Sequence, residues 1–114
     1  MSKHLSLSFR AVDRDKFDQI VNGIKTIETR AATVKYQDLS PGDTIRFSCD
    51  KQRIGKTISF VRYYSSIEEM LEDLPLDKIL PDVTDLDGAL KVYYGFPGYE
   101  QKIKQSGIVA LGLE

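Results

Sequence analysis

Lys25, Glu28 and Arg30 fall within six consecutive residues, in the run Gly23-Ile24-Lys25-Thr26-Ile27-Glu28-Thr29-Arg30. An amine, a carboxylate and a guanidinium at this spacing can grip a phosphate or a base edge, and can also move a proton. Arg30 is the better anchor of the two bases, because its planar fork holds a phosphate or base edge through two parallel hydrogen bonds. Lys25 serves as a base only if burial or a neighbouring cation lowers its pKa toward neutrality, and a close Glu28 would do the reverse. Two arrangements stay open. In one, Lys25 and Glu28 form a tight ion pair and the charged lysine contacts phosphate or a carbonyl oxygen. In the other, substrate separates them, leaving Glu28 as general base and Lys25 as oxyanion stabiliser.

Further residues could extend such a site. Lys35 and Tyr36 follow in a variable connection, and Arg62, Tyr63 and Tyr64 on a later segment would add charge and stacking surface for unstacked bases. Tyr93 and Tyr94, at helical spacing, read as core or rim residues with a satisfied hydroxyl. His4 lacks Ser or Cys partners in any nucleophile motif and reads as structural or exposed, and Cys49 has no helix N-terminus or clear cationic triad to activate it and reads as buried or inert. Gly95-Phe96-Pro97-Gly98 lacks the strand-to-helix context of a phosphate loop and reads as a turn, able to wall a cleft.

These side chains need elements to hold them. Leu5, Leu7 and Phe9 alternate with Ser6, Ser8 and Arg10, the period-two pattern of a half-buried strand. Asp13 then caps a helix over residues 14–22, with Phe17, Ile20 and Val21 on one face and Gly23 as its stop. The β-branched run from Thr26 to Arg30 is a strand whose alternation puts Thr26, Glu28 and Arg30 on one side and Ile27 and Thr29 on the other. Pro41-Gly42-Asp43 is a turn before a strand over 44–48, and a longer strand covers 54–64 with Gly55 as an expected bulge or point of close approach. Ser66-Ile67-Glu68-Glu69 is a capping box opening a helix ended by Pro75, and a short helical turn over 76–80 stops at Pro81. Thr84 or Asp85 caps a further helix to Tyr94, residues 99–105 form another turn of helix, and residues 108–113 alternate as a closing strand. Strands at both ends with helices inserted before the last one predict an α+β fold closing on itself as a small barrel.

The whole chain sets bounds on this reading. Its 114 residues suit one domain able to bury a core unaided. Sixteen basic and seventeen acidic residues leave a net charge of −1, which disfavours tight non-specific DNA binding but not capture of a nucleotide in a pocket. The single cysteine cannot form an internal disulfide, and with one histidine there is no zinc-type ligand set, so no cofactor is expected, a carboxylate-held Mg²⁺ being the one metal alternative left open. No apolar run reaches the roughly 18 residues of a membrane span, and the start at Met1 runs straight into strand alternation, so a cytoplasmic location is expected.

The run Gly23 to Arg30, followed by Leu39-Ser40-Pro41-Gly42-Asp43-Thr44-Ile45-Arg46-Phe47, resembles the ASCH domain family: a glycine and lysine, an I-E-x-R strand, a variable loop, then a G-D-x-I-x-F strand. The likeness continues through Leu74 to Asp82 and the closing Gly107-Ile108-Val109-Ala110-Leu111, so that it spans nearly the whole chain. It implies a PUA-like mixed β-barrel with a cleft between barrel and helices, and RNA or a modified nucleoside as partner. Activities described for the family are RNA binding, ribonuclease activity and, in one small subfamily, hydrolysis of the acetyl amide of N4-acetylcytidine. That subfamily uses a lysine, a threonine three positions later and a glutamate from the helical region. Lys25 matches the lysine; Glu28 stands where the threonine is expected, and only Asp82 and Asp85 offer carboxylates in the helical stretch. Three functions therefore remain: a nucleotide-binding domain, a hydrolase using Lys25 and Glu28, or a regulatory interaction domain without chemistry.

Overall fold

The computed structural model describes residues 3–114, so Met1 and Ser2 at the head of the chain lie outside it. Five strands and five helices follow one another: β1 (His4–Phe9), α1 (Arg14–Val21), β2 (Ile27–Ala31), β3 (Thr44–Cys49), β4 (Gln52–Tyr64), α2 (Ile67–Asp73), α3 (Leu76–Ile79), α4 (Leu86–Tyr94), α5 (Tyr99–Ser106) and β5 (Ile108–Leu113). Single 3₁₀ turns lie at Ala11–Asp13 and Val34–Tyr36. The strands form one sheet in the order β1-β3-β4-β5-β2. Only β1 and β3 run parallel, Leu5 beside Ile45 and Leu7 beside Phe47; the other pairs are antiparallel. The sheet curls into a half-barrel whose two edges, β1 and β2, are not bonded to each other.

Alternation along β5 splits its side chains between two cores. Val109, Leu111 and Leu113 pack inside the curl with Leu7, Phe17, Ile45 and Phe47. Ile108 and Ala110 pack outward with Ile27, Ile67, Met70, Ile79 and Tyr93, under the helices. Both faces of β5 are thus covered, which is why IVALGL is apolar throughout and buried at every position. Each fully buried aliphatic side chain in these cores contributes about 1.5–3 kcal/mol.

The helices begin where their side chains can cap them. Ser66 Oγ accepts from Glu69 N at 3.1 Å, and of Thr84 and Asp85 it is Asp85 that caps α4, accepting from Gly88 N at 2.8 Å. Asp13 stands at the N-cap of α1 without bonding a helix amide; its carboxylate takes Arg10 Nε at 3.1 Å instead. On α1, Phe17 and Ile20 are buried but Val21 is exposed, because the helix ends there and turns away.

The bulge expected at Gly55 lies elsewhere. Gly55 pairs in continuous register with Arg46, and the extra residue falls between Ile58 and Val61, where β4 leaves β3 and takes up β5. A strand that changes partners must bend, and a bulge supplies the bend. Opposite it, Gly112 leaves room for Phe60: a Cβ at 112 would lie 2.3 Å from the Phe60 ring.

Candidate functional site

Lys25 is delivered by the end of α1. Gly23, at φ 76°, turns the chain left-handed, and Ile24 N reaches back to Gln19 O at 3.0 Å, a Schellman-type closure. Lys25 N bonds the same carbonyl at 3.0 Å, and the side chain then runs inward, 6% exposed, to donate from Nζ to the carbonyl of Ile79 at the end of α3. Burial lowers its pKa; Glu28 opposes this, and Arg30 and Lys16 reinforce it. Of the two arrangements left open, the tight ion pair with Glu28 is not formed among the described residues, so the carboxylate only partly offsets the loss of hydration.

Glu28 is 5% exposed on β2. Its Oε1 accepts the Thr29 amide at 2.9 Å and stands 3.7 Å from Arg30 Nε, so the partner of the carboxylate is the arginine two residues on, on the same strand face. Its Oε2 is buried and has no hydrogen-bond partner among the described residues. Arg30 is half-buried; burial works against its charge, but Glu28, Tyr36 and Tyr99 outweigh it and raise its pKa further. Thr29 faces the helices, where its hydroxyl bonds Tyr93 OH, and burial pushes the Tyr93 hydroxyl well above its usual pKa. The hydroxyl of Tyr99 accepts the Ala31 amide at 2.9 Å, covering part of the open β2 edge.

These groups line one cleft of about 450 Å³, a volume suited to a small-molecule ligand. It lies between the free edges of the half-barrel, with Ser8 to Arg10 on the β1 side and Glu28 to Arg30 on the β2 side. Tyr93, Phe96, Pro97 and Tyr99 wall it, so the turn after α4 forms part of the site. Five basic side chains, Arg10, Lys16, Lys25, Arg30 and Lys102, line it against the two acids Asp13 and Glu28. The mouth is therefore locally positive in a chain of net charge −1.

Lys25, Glu28 and Arg30 thus converge, but Lys35 and Arg62 stand apart from the cleft. Lys35 is exposed with its amine 5.6 Å from the Tyr36 ring centroid, and Arg62 lies over Phe60 and pairs with Asp73 at 3.3 Å. Neither helical-region carboxylate enters: Asp82 accepts from Gln19 Nε2 at 2.8 Å, and Asp85 is a helix cap. His4 bonds Thr44 at 2.8 Å, and Cys49 is buried. Lys16, Tyr99 and Lys102 join the site without any local sequence signal, because strand order and helix packing bring them there. Among the described residues no group of three or more His, Cys, Asp or Glu could hold a metal ion, and no helix is long and apolar enough to cross a membrane.

A five-stranded curled half-barrel with α1 packed against its inner core, α2 to α5 over its outer face and a basic cleft between its edges defines a small α+β domain of the PUA-like kind. The chain belongs to the ASCH domain family, whose model matches residues 12–114. It is similar to the crystal structure of hypothetical protein PH0355, with 31% identity, 97% of each chain covered and a TM-score of 0.83. It is also similar to the solution NMR structure of protein PF0455 from Pyrococcus furiosus, with 30% identity, 97% of this chain and 96% of that one covered, and a TM-score of 0.75. No curated protein matches the sequence. The family is generally linked to RNA binding.

Proposed function

We propose that this cleft binds a nucleotide of RNA or a modified nucleoside. The observation that carries the reading is the meeting of Lys25, Glu28 and Arg30 in one concave, aromatic-walled site. Arg30 offers its fork to phosphate or to a base edge, and the rings of Phe96 and Tyr99, 5.6 Å apart and edge-on, offer one face to an unstacked base. The reading treats the chain as a single domain and implies a cytoplasmic setting.

Titration with short single-stranded RNAs at two salt concentrations tests it. Binding that weakens with salt and drops about tenfold or more in Arg30→Ala is expected, since a charge-assisted contact is lost. No binding at low salt would remove the RNA-binding proposal, since phosphate contacts are strongest there.

A second reading, a hydrolase, is favoured by one observation: burial moves the Lys25 amine toward its neutral, proton-accepting form. The departure of Glu28 from the threonine of the amidohydrolase pattern speaks against the acetyl-amide reaction in particular. Incubation with N4-acylated cytidines and short RNAs, followed by mass spectrometry, should give products that vanish in Lys25→Ala. Equal turnover in that variant would eliminate the lysine's role.

A further inference from the structure

The charged groups of the cleft are unequally satisfied. Lys25 Nζ has its acceptor in the Ile79 carbonyl, Arg30 has Glu28, and Arg10 has Asp13. Glu28 Oε2 has no hydrogen-bond partner among the described residues, although the residue is 95% buried and is one of those lining the cleft. A buried acceptor without a donor costs free energy comparable to a lost hydrogen bond, so it is a place where a ligand N–H gains more than it would in water. At the mouth, Lys16 and Lys102 form no ion pair among the described residues.

A metal ion or a ligand ammonium is a poor partner for this carboxylate, because Arg30 Nε already stands 3.7 Å from Oε1 and repels further positive charge. A neutral N–H donor meets no such repulsion. An anion placed against Lys16 and Lys102 meets attraction. The two requirements, a neutral donor at the floor and an anion at the rim, belong to one ligand.

We propose that the site takes a nucleoside monophosphate unit, free or at a position in RNA, whose Watson–Crick edge gives an N–H to Glu28 Oε2 while its phosphate lies against Lys16 and Lys102. The inference rests on the nucleotide reading of the cleft and deepens it: Glu28 is a specificity-determining residue that rejects bases whose donors have been methylated away.

The test is calorimetric titration of the full chain with cytidine 5′-monophosphate, its N4-methyl derivative, which keeps one N–H, and its N4,N4-dimethyl derivative, which keeps none. Uridine 5′-monophosphate and its N3-methyl derivative form a second set. The donorless member of each set should bind about tenfold or more weakly, the loss expected for an unmade hydrogen bond to a buried charged acceptor, while N4-methyl stays near the parent. In Glu28→Gln, where the Thr29 amide and Arg30 hold the amide oxygen at the Oε1 position and leave NH₂ at the Oε2 position, the gap should close. Equal binding of donor-bearing and donorless members to the native protein overturns the inference while leaving a nucleotide cleft intact. Absence of binding by every nucleotide and by short RNA overturns both. The analogue comparison needs no variant, so a poorly folding Glu28→Gln leaves it decisive.

Discussion

At the scale of single residues the cleft floor is set by competition between burial and charge. Lys25 loses hydration and gains only one carbonyl, so its folded pKa lies below that of the unfolded chain. Below the folded pKa the amine is charged in both states and its burial costs stability. As pH rises from there toward the unfolded value of about 10.4, the folded protein alone has shed the proton, and the cost is relieved. The stability advantage of Lys25→Met over the native chain should therefore shrink as pH rises across that window, read as the difference between their Tm values. Parallel Tm curves would contradict a depressed lysine. Tyr93→Phe leaves the buried Thr29 hydroxyl without its partner and should cost about 1–3 kcal/mol by urea denaturation. That Glu28 and Arg30 share a face was legible in the sequence, since residues two apart on a strand do so. The sign of the Lys25 shift was not, because Ile79 and the walls that bury the lysine come from distant segments.

At the scale of elements, backbone geometry separates glycines that look alike in sequence. Gly107 sits at φ 79° before β5, and a Cβ there would lie 2.4 Å from the Tyr64 carbonyl oxygen. Gly107→Ala should cost about 1–3 kcal/mol, whereas Gly55→Ala, in open space on a strand, should leave the urea midpoint unchanged or slightly higher. A large loss at Gly55 would contradict the register of β3 with β4. Asp85→Ala should cost about 1 kcal/mol through loss of the α4 cap, measured the same way. The strands at both ends, the capping box at Ser66 and the closing helices were all readable, because each rests on local periodicity or a local cap. The bulge was not: its place depends on where β4 changes partner, and the glycine that serves it, Gly112, lies on the opposing strand.

At the scale of the whole molecule, the candidate site lies in the gap that the curled sheet leaves open. β1 and β2 are adjacent to neither each other nor their sequence neighbours in the sheet, and that order gathers Arg10, Lys16 and Lys102 around a pair found on β2 alone. Composition could say only that a basic region must be local. One small cleft can contact only a few phosphates, so binding of single-stranded RNA should show a shallow salt dependence, about −0.7 in log K against log salt for each phosphate contacted. Lys16→Ala and Lys102→Ala should each flatten that slope, and Lys35→Ala, outside the cleft, should leave it unchanged.

The most direct test of the nucleotide cleft is an amide-resolved NMR titration of the native chain with a short single-stranded RNA at low salt. Shifts concentrated at residues 25–31 and 93–102, saturating together, are the predicted result. Shifts confined to the outer face of β4 around Arg62, or none at all, would contradict the account.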